Sequence, residues 1–222
     1  MSGNSRPVAS SQAGIHPSLI QVVHRHMLHR WRQPVAAHNV DAFRLCETWR
    51  RHQGFSRPLI LDSGCGTGRA SRALAMQHPD ALVIAMDQSA VRLQRGLERF
   101  GAAPANLYLM RAECADIWRL MLAADWSVAR HFLLYPNPWP KPGHLQRRWH
   151  GHPVFPQLLA LSEVVELRTN WQVYAEEMAA ALSVAGRPAG IERIQPETAL
   201  TDFEEKYRDS GHALWRVLGC RV

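Results

Sequence analysis

Apolar residues recur at mixed three- and four-residue spacings over 17–53, through Leu19, Ile20, Val23, Met27, Val40, Phe43 and Leu45, a pattern that predicts helix. Pro34 divides the stretch into two helices. After Pro58 the pattern changes: Leu59-Ile60-Leu61 is a short apolar run that ends in a cluster of glycines, and helical spacing resumes over 69–77. Strand, loop and helix follow in that order. The same alternation predicts strand over 81–86, helix over 89–100, strand over 107–110, helix over 115–123 and strand over 131–134. Pro136, Pro138, Pro140, Pro142 and Gly143 then exclude regular structure up to a helix over 155–161. Beyond it lie a strand over 164–168, a helix over 174–182, a strand over 191–194, a helix over 201–208 and a strand over 213–218.

Strands alternating with helices predict an α/β protein with parallel pairing and helices on both faces of the sheet. Counting all the strands gives a seven-stranded, mixed, Rossmann-like sheet. With 222 residues there is room for one domain and not for two ordinary ones. The Ser-rich start, residues 1–14, is expected to be a disordered tail, with a single domain over 15–222 made of N-terminal helices (15–54) and a core (58–222).

No stretch approaches the roughly 20 uninterrupted apolar residues of a membrane-spanning helix, and the N-terminus lacks the apolar centre of a secretory signal. A soluble, cytoplasmic chain with no membrane partner is expected. Cys46, Cys65, Cys114 and Cys220 are scattered without a Cys-x-x-Cys pair, and the histidines, His24, His26 and His29 among them, fall mostly in basic, aromatic-rich segments without carboxylates at ligand spacing. Reduced thiols, surface histidines and no metal site follow. The net charge of +7 favours a polyanionic partner, although basic character alone does not specify nucleic acid.

The segment Leu61-Asp62-Ser63-Gly64-Cys65-Gly66-Thr67-Gly68 joins the first strand to its helix, where glycines allow a tight turn and a close approach by a ligand. A dinucleotide fingerprint would place its third glycine at position 69, which is Arg69. Gly64, Gly66 and Gly68 preceded by Asp62 instead favour S-adenosyl-L-methionine, whose ammonium end Asp62 can attract, whereas a pyrophosphate would be repelled. Asp87, at the end of the second strand, is the candidate for the ribose hydroxyls, and Glu113, after the third, for the adenine amino group. The competing roles are a helix cap for Asp62, a turn former for Asp87 and a solvated acid for Glu113.

The loop Leu134-Tyr135-Pro136-Asn137-Pro138-Trp139-Pro140-Lys141 follows the fourth strand, at the point where the strand order of such sheets reverses. Its prolines hold Asn137 in a rigid extended frame suited to gripping a flat base. His144, Arg147, Arg148, His150 and His152 come next, with Trp149 among them, a mixture that can pair with phosphates and stack on bases. Here the sequence resembles the bacterial tRNA (guanine-N7) methyltransferase family. The resemblance rests on the loop from Tyr135 to Lys141 with His144 and Arg147-Arg148, on Thr169-Asn170, and on Thr201-Asp202-Phe203-Glu204, and it runs over about 59–218.

The resemblance implies a class I methyltransferase fold and methyl transfer to N7 of a guanosine in tRNA. It also implies cofactor contacts at Asp62, Asp87 and Glu113, catalysis and a further cofactor contact at Asn137, and substrate contacts at Lys141, Asn170, Thr201, Asp202, Phe203 and Glu204. Arg147 and Arg148, like Lys141, are candidates for substrate phosphates as cations, with a solvated surface as the competing role. The sequence departs from the family in having Asn137 and Asn170 where the family has Asp, and Asp62 where it usually has Glu. Guanine N7 carries an in-plane lone pair, so its methylation needs positioning and no general base. A carboxylate would nevertheless accept from both N1–H and N2–H of guanine, whereas Asn offers one acceptor and a mismatched donor. Thr201 also suits a helix cap and Glu204 a solvated face.

Two other readings stay open. Asn137-Pro138-Trp139 is similar to the Asn-Pro-Pro-aromatic loop of amino-group methyltransferases, lacking its second consecutive proline, which would direct methylation to an exocyclic or amide nitrogen of another RNA or of a protein. A cofactor-binding protein that holds RNA without turnover is the third.

Overall fold

The computed structural model describes residues 4–221. In chain order the elements are α1 (Leu19–Leu28), α2 (Ala37–Gln53), β1 (Leu59–Ser63), α3 (Arg69–Gln77), β2 (Leu82–Asp87), α4 (Ala90–Phe100), β3 (Leu107–Arg111), α5 (Cys114–Ala123), β4 (Val128–Leu134), two 3₁₀ turns (Pro142–Arg147 and Trp149–Gly151), α6 (Phe155–Leu161), β5 (Ser162–Thr169), α7 (Gln172–Val184), β6 (Ala189–Ile194), α8 (Asp202–Asp209) and β7 (Leu214–Cys220). The strands form one seven-stranded mixed sheet in the order β3-β2-β1-β4-β5-β7-β6. The α/β class and mixed sheet are those the sequence predicts. Chain contacts divide the described residues into two compact units, one of residues 33–132 and 160–163, the other of 4–32, 133–159 and 164–221.

The first of these is the parallel unit. β1 pairs in parallel with β2 and with β4, and β2 with β3. Every residue of β1 and β2 is buried, as expected of parallel strands with both faces covered. Leu61, Leu82, Ile84 and Met86 are almost fully excluded from solvent, each contributing about 1.5–3 kcal/mol by burial. Polar ties fix the helices around them. Asn39 of α2 donates through Nδ2 to Asp116 Oδ2 at 2.7 Å and accepts from the Glu113 backbone N–H, joining α2 to α5. His131 of β4, wholly buried, lies 2.8 Å from Ser63 Oγ on one side of its ring and 2.8 Å from Ser162 Oγ on the other, and the Trp118 indole donates to the same Ser63 Oγ. Burial pushes the His131 pKa down to about 3, so the ring is neutral.

The antiparallel unit is built on β7, which pairs antiparallel with β5 and with β6. α7 lies against β7 and α1. α1 turns Leu19, Val22, Val23 and His26 inward at helical spacing. Glu177 of α7 is fully buried and is met by the Arg148 guanidinium and by His150 Nε2 at 2.8 Å, both residues also fully buried. Burial would raise the Glu177 carboxyl, but its hydrogen bond to His150 and its pairing with Arg148 outweigh this and hold it at about 2. Burial pushes His150 down, so the ring is a neutral hydrogen-bond donor and Arg148 supplies the charge.

Of residues 1–14, expected to be a disordered tail, 1–3 lie outside the described residues. Residues 4–14 carry no helix or strand, yet Ser5 N donates to Ser210 Oγ at 3.0 Å and Gln12 Nε2 to Glu177 Oε1 at 2.6 Å. The expectation of surface histidines needs correction at three positions. His131 and His150 are the buried bridges just described, and His26 is turned inward with Nε2 3.2 Å from the Gly151 carbonyl. Among the described residues no helix is long and apolar enough to cross a membrane.

Candidate functional site

In the parallel unit the loop between β1 and α3 carries the predicted cradle. Gly64 and Gly66 have φ of +79° and +60°, where a side chain would be strained, and a Cβ on either would meet no atom within 4 Å. Their backbone faces open space, as a loop that receives a ligand closely must. Gly68, also left-handed, is the N-cap residue of α3. Asp87, only 3% exposed, sits behind the loop: Oδ2 accepts from Gly66 N at 2.9 Å and Oδ1 from Ser89 N at 2.8 Å. Each oxygen keeps a second lone pair for a hydroxyl.

Asp62 is 1% exposed and accepts from Ser71 Oγ of α3 at 2.6 Å. Burial pushes its carboxyl up to about 6, against the lowering effect of the Ser71 hydrogen bond. Its carboxyl therefore lies beneath the surface of the loop. Glu113 is exposed and precedes α5 as its N-cap residue without a side-chain capping bond, which leaves its carboxylate directed to solvent.

In the antiparallel unit the loop after β4 is held at both ends in left-handed backbone by non-glycine residues, Tyr135 at φ +52° and Trp139 at φ +47°. Such a conformation costs of order 1–3 kcal/mol at each position and persists only where surrounding bonds impose it. Tyr135 is pinned by its N–H to the Arg168 carbonyl at 2.8 Å and by its hydroxyl to Glu204 Oε1 at 2.8 Å. The Trp139 carbonyl accepts from Arg148 Nε at 3.2 Å and Nη2 at 3.0 Å. Between these anchors Pro136 and Pro138 are half-buried and Asn137 is exposed.

Two predicted substrate residues need correction. Arg148 is not a surface cation: it is fully buried, committed to Glu177, Gln12 and the Trp139 carbonyl. Glu204 is neither solvated nor a free acceptor, because it is fully buried and accepts from Tyr135 Oη, Arg168 Nη1 at 3.0 Å and Leu200 N. Thr201 caps α8, its Oγ1 accepting from Glu204 N at 2.9 Å. The other positions keep accessible groups. Lys141 and Arg147 are exposed, the latter with its guanidinium 4.8 Å from the Trp139 ring centroid. Phe203 is 43% exposed and stacks on Tyr207, and Asp202 opens α8 beside it. Asn170 Nδ2 lies 3.0 Å from His212 Nδ1, whose Nε2 faces the Ser5 carbonyl at 3.0 Å. Both contacts are satisfied when His212 donates through Nε2 to Ser5 and accepts at Nδ1 from Asn170, and the Asn170 amide oxygen takes no part in them.

Residues 56–217 match the family described as "Putative methyltransferase", well over half of the chain. The chain belongs to this methyltransferase family. Curated relatives include the tRNA (guanine-N(7)-)-methyltransferase of Mycobacterium tuberculosis, 29% identical over 190 residues that cover 75% of this chain and 69% of that one. That of Brevibacillus brevis is 26% identical over 181 residues, 76% of this chain and 83% of the other. Among solved structures, the 16S rRNA methyltransferase KamB superposes with a TM-score of 0.60 at 18% identity, covering 85% of this chain and 94% of its own, which establishes a shared fold.

Four residues of this methyltransferase that hold the two loops were given no individual role from the sequence. Gly96 of α4 lets the helix backbone approach the glycine loop so closely that a Cβ there would sit 2.0 Å from the Thr67 carbonyl oxygen. Ser71 meets Asp62; Tyr135 and Arg168, both bound to Glu204, brace the loop after β4. The last had a legible signal, since Glu166 and Arg168 are two apart in β5 and so share a face, where they pair at 2.8 Å.

Proposed function

We propose that this methyltransferase transfers a methyl group from S-adenosylmethionine to N7 of a guanosine in tRNA. Bound in the glycine loop, S-adenosylmethionine supplies an electrophilic methyl group on sulfur. Gly64 and Gly66 offer it open backbone, Asp87 the two acceptors for its ribose hydroxyls, Glu113 an acceptor for its adenine amino group, and Asp62 a negative field for its ammonium end. The open faces where a Cβ would point from Gly64 and Gly66 are what fit this group.

The observation that carries the substrate assignment is the braced loop from Tyr135 to Trp139, strained at both ends and presenting Asn137 between two prolines. A group fixed in this way orients a base rather than removing a proton, and orientation is what an in-plane lone pair at N7 requires. The Asn137 carboxamide accepts a guanine N–H and helps offset the charge that develops on the ring, with Asn170 offering a second amide oxygen. Lys141 and Arg147 serve the phosphates, and Phe203 offers a face for stacking.

The test is methyl incorporation from labelled cofactor into tRNA lacking its own modifications, followed by nucleoside mass spectrometry. N7-methylguanosine is expected. Methylation of an exocyclic or amide nitrogen, or no incorporation at all, refutes the assignment.

A further inference from the structure

The 19 acidic residues of the chain are unevenly spread: none occurs before Asp41, and none between Asp125 and Glu163. The described parts of these two acid-free stretches, 4–32 and 133–159, belong to the same compact unit. They are joined there by several contacts. His26 Nε2 meets the Gly151 carbonyl, Ser10 Oγ donates to the Pro140 carbonyl at 2.6 Å, and Trp31 lies edge-on to His152 with ring centroids 5.0 Å apart. His152 in turn meets the edge of Trp149 at 6.0 Å. Two stretches without a negative charge, far apart in sequence, thus adjoin around a chain of aromatic rings.

The arginines at the end of the first stretch point outward. α1 buries Leu19, Val22, Val23 and His26 and leaves Arg25 exposed, while Arg30 and Arg32 are exposed on the segment that follows. Among the described residues none of these three guanidiniums is in an ion pair. One cation at a helix C-terminus is explained by the helix dipole, but Arg30 and Arg32 lie beyond the last turn, where that effect has faded. A segment with interspersed charges would carry acids here; the uniform sign of these two stretches favours a polyanion over a cationic partner.

We infer that the end of α1 and the segment after it, through Arg25, Arg30 and Arg32, form a second RNA-binding surface that grips tRNA phosphates away from the methylated base. The inference rests on the tRNA reading above. The surface contributes affinity and no chemistry, since none of the three residues belongs to either loop of the functional site. Trp31 and Trp149, half-buried against His152, set the spacing between these arginines and the exposed Arg147.

The experiment replaces Arg25, Arg30 and Arg32 together by Ala, and in a second protein by Lys, and measures tRNA binding by fluorescence anisotropy over a range of salt alongside steady-state methylation. In the Ala protein the slope of log K against log salt should fall by about 2–3, for three lost phosphate contacts. KM for tRNA should rise at least about tenfold with kcat and cofactor affinity unchanged, and the Lys protein should recover most of the slope. A wild-type slope and KM in the Ala protein would overturn the inference, as would a fall in kcat at constant KM. A wild-type protein that neither binds nor methylates tRNA would overturn the tRNA reading itself, an outcome visible before any variant is made.

Discussion

Replacing Gly96 by Ala should weaken cofactor binding although the substitution lies on a helix and away from the ligand. On an ordinary helix the change stabilises by about 1 kcal/mol, because Ala is the better helix former. Here the new Cβ would stand 2.0 Å from the Thr67 oxygen and 2.8 Å from its carbonyl carbon. Non-bonded heavy atoms do not approach so closely, so α4 and the glycine loop must part by about 1 Å. Forcing a methyl group into a filled site costs about 1–3 kcal/mol, leaving a net loss of up to about 2 kcal/mol after the helix gain. In a chain of this size that lowers Tm by up to about 4–8 °C. The loop that moves also holds Gly66 N against Asp87 at 2.9 Å. Losing the equivalent of one charge-assisted hydrogen bond, about 1.5–3 kcal/mol, raises Kd for S-adenosylmethionine by about ten- to a hundredfold. Calorimetric titration and thermal unfolding measure the two effects, with Arg95→Ala, an exposed position on the same helix, as the control. A variant with a raised Tm and wild-type affinity would refute the reasoning, because it would show that the close approach is not required.

Affinity for S-adenosylmethionine should fall as pH drops below about 6, by up to about tenfold per unit, because the Asp62 carboxyl that burial has raised to about 6 becomes neutral and loses its hold on the ammonium group. Asp62→Asn should flatten that dependence, and a flat profile in the wild-type protein would exclude the role. Glu177→Gln should cost about 3–5 kcal/mol in urea denaturation, because it strands the Arg148 guanidinium without a counter-charge, whereas replacing both residues by apolar ones should restore much of the loss. A single-variant loss below about 1 kcal/mol would contradict the buried pairing.

The elements were legible wherever a period or a breaker was strong. α3 and α6 occupy the residues that periodicity and flanking breakers predict, and Pro34 falls between α1 and α2. β4 begins at Val128 rather than at 131 because Arg130 interrupts its apolar run and hides the continuation. The prolines after β4 do exclude helix and strand, yet two 3₁₀ turns form beyond them, with Pro142 opening the first, where its missing N–H costs nothing. The positions of candidate residues were legible where a strand end marks them, as with Asp87, which closes β2. What sequence could not convey was which charges are spent inside. Arg147 and Arg148 are adjacent and chemically identical, but one stacks on Trp139 at the surface and the other is consumed by Glu177, 29 residues away. Gly96 was silent for a related reason, since nothing local distinguishes a helical glycine that must admit another backbone from one that need not.

The buried bridge from Ser63 through His131 to Ser162 bears on how the sheet finds its alignment. β4 ends in Phe132-Leu133-Leu134 and β1 begins Leu59-Ile60-Leu61, runs with no alternation to say which face is which. A strand offset by one residue turns every side chain over, and in such apolar runs the hydrophobic burial would scarcely change. His131 makes the difference. Misaligned, its two ring nitrogens and the hydroxyls that now meet them would have to find other partners out of reach of water, at about 1–3 kcal/mol for each group left unsatisfied. The bridge therefore works as a key: an alignment in which the imidazole fails to meet both serines is rejected, and the glycine loop that leaves the end of β1 is delivered in one place.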